Sequence, residues 1–234
     1  MSVSDSKIKS RTLLETTDAK WVKLVKTDYT DPNGKPRTWE SAERRTRPAT
    51  SLIDGVGIVA ILEKASGPEL LLQKQFRPPV DKVCIEVPAG LVDEGESPEV
   101  CALRELKEET GYVGELMKEA GGVSPLMYNG QCRSSLPERT LGRNRFLTCY
   151  ELLDTDPGFC NTNLNMVHVK IDMSRPENQD LKPQLEENEF IQVFSIPLKG
   201  LYAECGKLEK EGYAIDARVG TLAEGFELAR KWKL

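Results

Sequence analysis

The stretch GLVDEGESPEVCALRELKEETGY, Gly90 to Tyr112, constrains this chain more than any other, because it puts three glutamates on one helical face beside a buried strand. Ser97 can cap the helix, Pro98 suits its first turn and Gly111 can close its far end. Positions three and four apart share a face, so Glu105, Glu108 and Glu109 converge to about 5–6 Å at their Cβ atoms. Glu108 can pair back to Arg104, whereas Glu105 and Glu109 have no basic partner at that spacing. Each like-charge pair costs an isolated helix about 0.2–0.5 kcal/mol, and acids in the last turn oppose the helix dipole. Such a face is either solvated and screened by water or a seat for a divalent cation, which takes hard carboxylate oxygens and leaves room for water and phosphate. Gly90 allows a tight turn out of the preceding strand, and the Ala89 carbonyl could add a neutral oxygen ligand.

Around this helix the pattern is that of a layered domain. From Asp54 onward GVGIVAILE, ELLLQKQF and VCIEVPAG read as nearly continuous apolar strands, buried on two faces. Further strands fall at LNMVHVKI and EFIQVFSI, and helices at LKGLYAECGKLEK and DARVGTLAEGFELARKWK, the last capped by Asp216. Strands interleaved with helices make an α/β (α+β layered) domain. Ahead of it, WVKLVKTDYTDPNGKPRTWESAERRTR folds back at Asp31-Pro32-Asn33-Gly34 as a β hairpin too polar to make its own core. The expected organisation is a loose segment 1–18, a hairpin domain 19–50, and a main domain 51–234.

Net charge is −5, which leaves no global basic field for nucleic acid. Six cysteines lack metal-site or disulfide spacing, and His168 is the only histidine, in an alternating strand pattern. The longest apolar run, Val56 to Leu62, falls far short of the roughly 20 residues that cross a bilayer, and the first ten residues lack a signal-peptide core. A protein of the cytoplasm is expected, with the nucleus next and mitochondria third.

Read whole, the stretch resembles the Nudix hydrolase signature G-x5-E-x7-R-E-U-x-E-E-x-G-U, where U is aliphatic or aromatic. Gly90, Glu96, Arg104, Glu105, Leu106, Glu108, Glu109, Gly111 and Tyr112 fill its fixed positions. The resemblance implies a Nudix-type α/β/α sandwich with a mixed sheet, hydrolysing a nucleoside diphosphate derivative with Mg²⁺, for which Mn²⁺ can substitute. On it, Glu105 and Glu109 are the main metal ligands with the Ala89 carbonyl, and Glu108 is an auxiliary ligand or water holder. Glu96 and Arg104 fix loop and helix by pairing, alongside Gly90 and Gly111 as structural members.

Similarity extends over roughly residues 20–129 and 156–230. KQFRPP, CIEVPAGL, DPGFCNTN and DARV, with the hairpin, resemble the eukaryotic ADP-ribose pyrophosphatase branch. That resemblance implies a homodimer with exchanged hairpins, Trp21 and Trp39 stacked on adenine, and Arg44 and Arg77 on the diphosphate and ribose. Glu40 and Glu86 are weaker candidates for the ligand and metal surroundings, and Asp156 is a further substrate-binding residue, beside the expected pocket. A loop carboxylate, Glu189, matches the family's general base, with Glu186 and Glu187 as rivals; such a base should close over bound substrate. Other nucleoside diphosphates, including sugar nucleotides and oxidised nucleotides, are the alternative substrates, and a non-catalytic ADP-ribose-binding module is the alternative class. The pattern breaks at Gly130 to Thr155, an atypical insertion (130–155) whose four basic residues are all arginine: a surface loop or translated intron sequence. Peptides from it in native-protein mass spectra would exclude the intron.

Overall fold

The computed structural model describes residues 17–49, 51–118, 122–124, 127–128 and 158–233, so the insertion and Asp156 lie outside it. The hairpin is β1 (Val22–Thr30) and β2 (Pro36–Arg44). Then come β3 (Gly55–Lys64), β4 (Gly67–Arg77), β5 (Lys82–Glu86), β6 (Ala89–Leu91) and α1 (Pro98–Thr110). β7 (Glu115–Leu116), β8 (Met127–Tyr128), β9 (Asn163–Asp172) and β10 (Ile191–Pro197) follow, and then α2 (Leu201–Lys210), β11 (Ala214–Ile215) and α3 (Ala217–Trp232).

Among the described residues nine strands form one mixed sheet: β3 runs parallel to β9 and β11 parallel to β5, and the other pairings are antiparallel. Side chains alternate across it, which is why the continuous apolar runs of the sequence serve two layers. Leu70, Leu72 and Ile85 join Leu201, Cys205 and Val219 of α2 and α3 on one face. On the other, Ile58, Leu62, Leu71 and Val169 join Leu106 of α1. The expected α/β/α sandwich is therefore observed. Cys84, Cys101, Cys160 and Cys205 are buried thiols, and burial pushes the Cys84 and Cys101 thiols up to about 12. Among the described residues no helix is long and apolar enough to cross a membrane.

One edge of β4 pairs first with β3, as far as Leu70, and then with β5, from Gln73, while β10 covers its other edge. β3 and β5 therefore diverge beside β4. The chain leaves β5 at Glu86 and rejoins the sheet as β6, where Ala89 pairs with Gly57 of β3. This split is the kind of place where α/β proteins put ligand sites, since it opens a crevice with ordered backbone on both sides.

α1 begins and ends as its sequence dictates. Ser97 Oγ accepts from the Val100 N–H at 3.4 Å, and Gly111, at φ 77°, returns its N–H to Lys107. Ser97→Ala should lower unfolding free energy by about 0.5–2 kcal/mol, measured by denaturant titration.

The hairpin turn is closed by Asp31, whose Oδ1 accepts the Asn33 and Lys35 N–H groups, each at 2.9 Å, and Gly34 takes φ 76°. Most hairpin side chains are exposed, as a strand pair without a core requires. Its β2 edge docks on the same chain: Trp39 Nε1–H donates to Gly158 O at 2.7 Å, and Ala42 N–H to Phe159 O at 2.8 Å. The connector is clamped by Arg47, which donates to both oxygens of buried Asp54, at 2.9 and 2.6 Å, and to Asn161 O.

Candidate active site

Two glutamates of α1 meet one dipeptide of β6 over the sheet's split. Glu109 Oε2 accepts the Ala89 N–H at 3.0 Å, and Oε1 accepts Gln73 Nε2–H at 3.4 Å from β4. The carboxyl group of Glu105 lies against Gly90, where a Cβ would fall 1.9 Å from Glu105 Cδ. Gly90 is therefore required for this close approach. It belongs to strand β6 and lacks a positive φ, so the expected tight turn there is corrected: a glycine after a strand signals either case.

Arg104 organises the helix face. Its Nε–H donates to Glu96 Oε1 and its Nη2–H to Glu96 Oε2, both at 2.9 Å, while Nη1–H donates to Glu105 at 2.8 Å and to Glu108 at 3.1 Å. The Glu96–Arg104 pairing matches expectation. Glu105, however, does have a basic partner, the arginine directly before it. Adjacent helical residues do not share a face, but a long guanidinium with five donors reaches three carboxylates at once.

The charge balance remains incomplete at the inner end. Glu109 is only 5% exposed, and its carboxyl is pushed up to about 8 by burial, with Glu105 and Glu189 adding to the rise against the Ala89 and Gln73 hydrogen bonds. Burial likewise raises Glu105, against the opposing pull of Arg104. Gln73 Oε1, fully buried, finds no donor among the described residues. A hard divalent cation with its water fits this donor set: two carboxylates bracketing Ala89–Gly90, beside an orphaned amide oxygen. Among the described residues no three acidic, thiol or imidazole groups are gathered into a ready-made cage.

Glu108 lies outward, its side chain 41% exposed and held by Arg104. Its backbone carbonyl accepts the Gln184 N–H at 2.7 Å, and a Cβ on Gly111 would sit 2.8 Å from Lys182 N, so the loop before β10 packs on the end of α1. This brings Glu189 close enough for its charge to be felt by both Glu105 and Glu109. Glu189 Oε2 itself accepts the Glu186 N–H at 3.0 Å, while Glu186 and Glu187 are exposed.

Arg77 is engaged rather than free: Nε–H donates to Glu86 at 3.0 Å and Nη2–H at 2.8 Å. Among the described residues, no hydrogen bond or ion pair joins Trp21, Trp39, Glu40 or Arg44 to α1. Trp21 stands opposite Arg45 and Trp39 opposite Thr27 in the hairpin. Six strand positions separate them, about 20 Å. The two tryptophans of one chain cannot clasp one adenine. Both are largely exposed, at 67% and 51%.

Gln73 and Arg218 went unassigned in the sequence. The first was visible as a polar residue inside ELLLQKQF, and the second as the partner of a helix cap, but neither pattern says which way the side chain faces.

The NUDIX domain matches residues 52–217. An ADP-ribose pyrophosphatase of Saccharomyces cerevisiae is 46% identical over 229 residues, covering 97% of this chain and 86% of that one. An uncharacterized Nudix hydrolase of Schizosaccharomyces pombe is 44% identical, covering 94% and 92%. The ADP-sugar pyrophosphatase of Mus musculus is 36% identical, covering 86% and 79%. The chain belongs to the Nudix family of hydrolases, whose members generally depend on a divalent metal.

Proposed function

We propose that the protein hydrolyses the diphosphate of ADP-ribose, with water, to AMP and ribose 5-phosphate, using Mg²⁺. The observation that carries this is the convergence of half-buried Glu105 and buried Glu109 on Ala89–Gly90, in a chain nearly half identical to a yeast ADP-ribose pyrophosphatase. Glu105, Glu109 and the Ala89 carbonyl hold the cation, and Glu108 an outer water. Bound there, the cation neutralises the diphosphate oxygens and acidifies water. Arg104 keeps Glu105 on Gly90, and Glu96 keeps Arg104 in place. Glu189 takes the proton from the attacking water after its carboxylate leaves the Glu186 N–H and the loop closes.

Arg77, Arg44 and Glu40 bind the diphosphate and ribose, and the adenine stacks between Trp21 of one chain and Trp39 of a second. The separation of these rings along the hairpin supports that arrangement, because a homodimer can bring them together and a monomer cannot. Light scattering should give the mass of two chains. A single-chain mass at assay concentration contradicts the shared pocket.

The mouse relative's name supports a broader second reading, in which ADP attached to other sugars is also cleaved. Chromatography of products from ADP-ribose, other ADP-sugars and oxidised nucleotides, with and without Mg²⁺, separates the readings. AMP from ADP-ribose only when metal is present is the expected result. Metal-independent cleavage, or binding without turnover, overturns it.

A further inference from the structure

Behind the proposed site lie two carboxylates, buried Glu86 at the end of β5 and half-buried Asp216 just past β11, each with its own arginine. β11 runs parallel to β5 with Ile215 opposite Ile85, and the Asp216 N–H donates to the Ile85 carbonyl at 3.0 Å. Asp216 and Glu86 thus follow a paired position on adjacent strands. Glu86 is 3% exposed, and the Asp216 side chain 18%. Carboxylates that follow paired positions on adjacent strands, and that are largely withdrawn from water, repel each other, and each competes for any guanidinium in reach. The structure divides the arginines between them. Arg77 forks onto Glu86, and Arg218 forks onto Asp216, with Nε–H to Oδ1 at 2.7 Å and Nη2–H to Oδ2 at 2.8 Å.

We infer that Arg218 is a positioning residue for Arg77: by occupying both oxygens of Asp216 it leaves Arg77 to Glu86 alone, aimed at the diphosphate. Burial pushes the Asp216 carboxyl up, but Arg218 overrides it and Arg77 adds to the lowering, so Arg77 already lies within electrostatic reach of Asp216. The remaining nitrogen of Arg218 is seated on the sheet's split, where a Cβ on Gly57 would fall 3.3 Å from Nη1 and 2.7 Å from Met166 Sδ. Gly57 stands opposite Ala89. Glycine there makes the room that lets the guanidinium lie under the site. The inference rests on the proposed role of Arg77 toward substrate, and its consequence is specific: without Arg218, the freed Asp216 carboxylate draws Arg77 away from Glu86.

The test compares the wild-type chain with Arg218→Met and with the double variant Asp216→Asn/Arg218→Met. Asparagine still caps α3, and the double variant leaves no unpaired carboxylate. Arg218→Met should raise KM for ADP-ribose about tenfold or more with kcat changed less than about threefold, and the double variant should return KM to within about threefold of wild type. A purely structural role, or direct contact of Arg218 with substrate, gives no such recovery. A double variant as impaired as the single one overturns the inference.

The Arg77 Nε–H resonance, assigned with Arg77→Lys, gives a readout without substrate. It should move in Arg218→Met and return in the double variant. If wild type fails to cleave ADP-ribose, the substrate reading falls, while this resonance still decides the role of Arg218. If the single variant does not fold, an Arg77 signal displaced in the folded double variant overturns the inference, and a wild-type position supports it.

Discussion

Glu109→Gln should abolish Mg²⁺-dependent hydrolysis, by about a thousandfold or more in kcat, while leaving the cation-free protein more stable than wild type at about pH 8. Both effects have one cause. Glu109 is buried among like charges with a carboxyl pushed up to about 8 from 4.5. Between those values the folded chain holds a proton that the unfolded chain has released, so stability falls as pH rises through the window and levels off above it. The loss is on the order of a few kcal/mol. Glutamine keeps the Ala89 and Gln73 neighbourhood without a charge to desolvate. Thermal unfolding with chelator from about pH 5 to pH 9 checks this: wild type should fall across the range and Glu109→Gln should stay flatter. Added Mg²⁺ should restore wild type and leave the variant unchanged. Equal pH profiles would remove the buried charge from the account.

Gly90→Ala should cost about a hundredfold in activity with little change in melting temperature. The new methyl group would overlap the Glu105 carboxyl, at 1.9 Å from Cδ and 2.0 Å from Oε1. Glu105 is the far end of a flexible side chain and can swing away, and Gly90 sits in a strand without positive φ, so the backbone accepts alanine. Reduced freedom of the unfolded chain even favours alanine by about 0.4–1 kcal/mol. The enzyme then folds with one cation ligand displaced. A crystal structure or Mn²⁺ titration of the variant would locate the loss. Near-normal turnover would mean that Glu105 need not lie on Gly90.

Such separations of activity from stability show what the sequence carried and what it did not. α1 was legible to the residue because its determinants are local: the Ser97 hydroxyl, the ring of Pro98 and the left-handed Gly111. The shared face of Glu105, Glu108 and Glu109 followed from helical period alone. The role of Gly90 did not, since a glycine ending a strand serves a turn or a close approach equally well, and only the tertiary fold sets Glu105 against it. The Arg104–Glu105 pair was missed because spacing rules describe backbone geometry and not the reach of a guanidinium. The handover of β4 from β3 to β5 depends on which strands meet in space. Gln73, Asp216 and Arg218 take their meaning from that meeting. The hairpin was read correctly as a pair lacking its own core, but the separation of Trp21 and Trp39 emerged only once the register was known.

The most direct measurement is an electron paramagnetic titration of Mn²⁺ into the protein without substrate, comparing wild type with Glu105→Gln/Glu109→Gln. Saturable binding to wild type, displaced by Mg²⁺, is expected, with its loss in the double variant while the fold persists. Unchanged Mn²⁺ binding in that variant would show that these two carboxylates do not hold the ion.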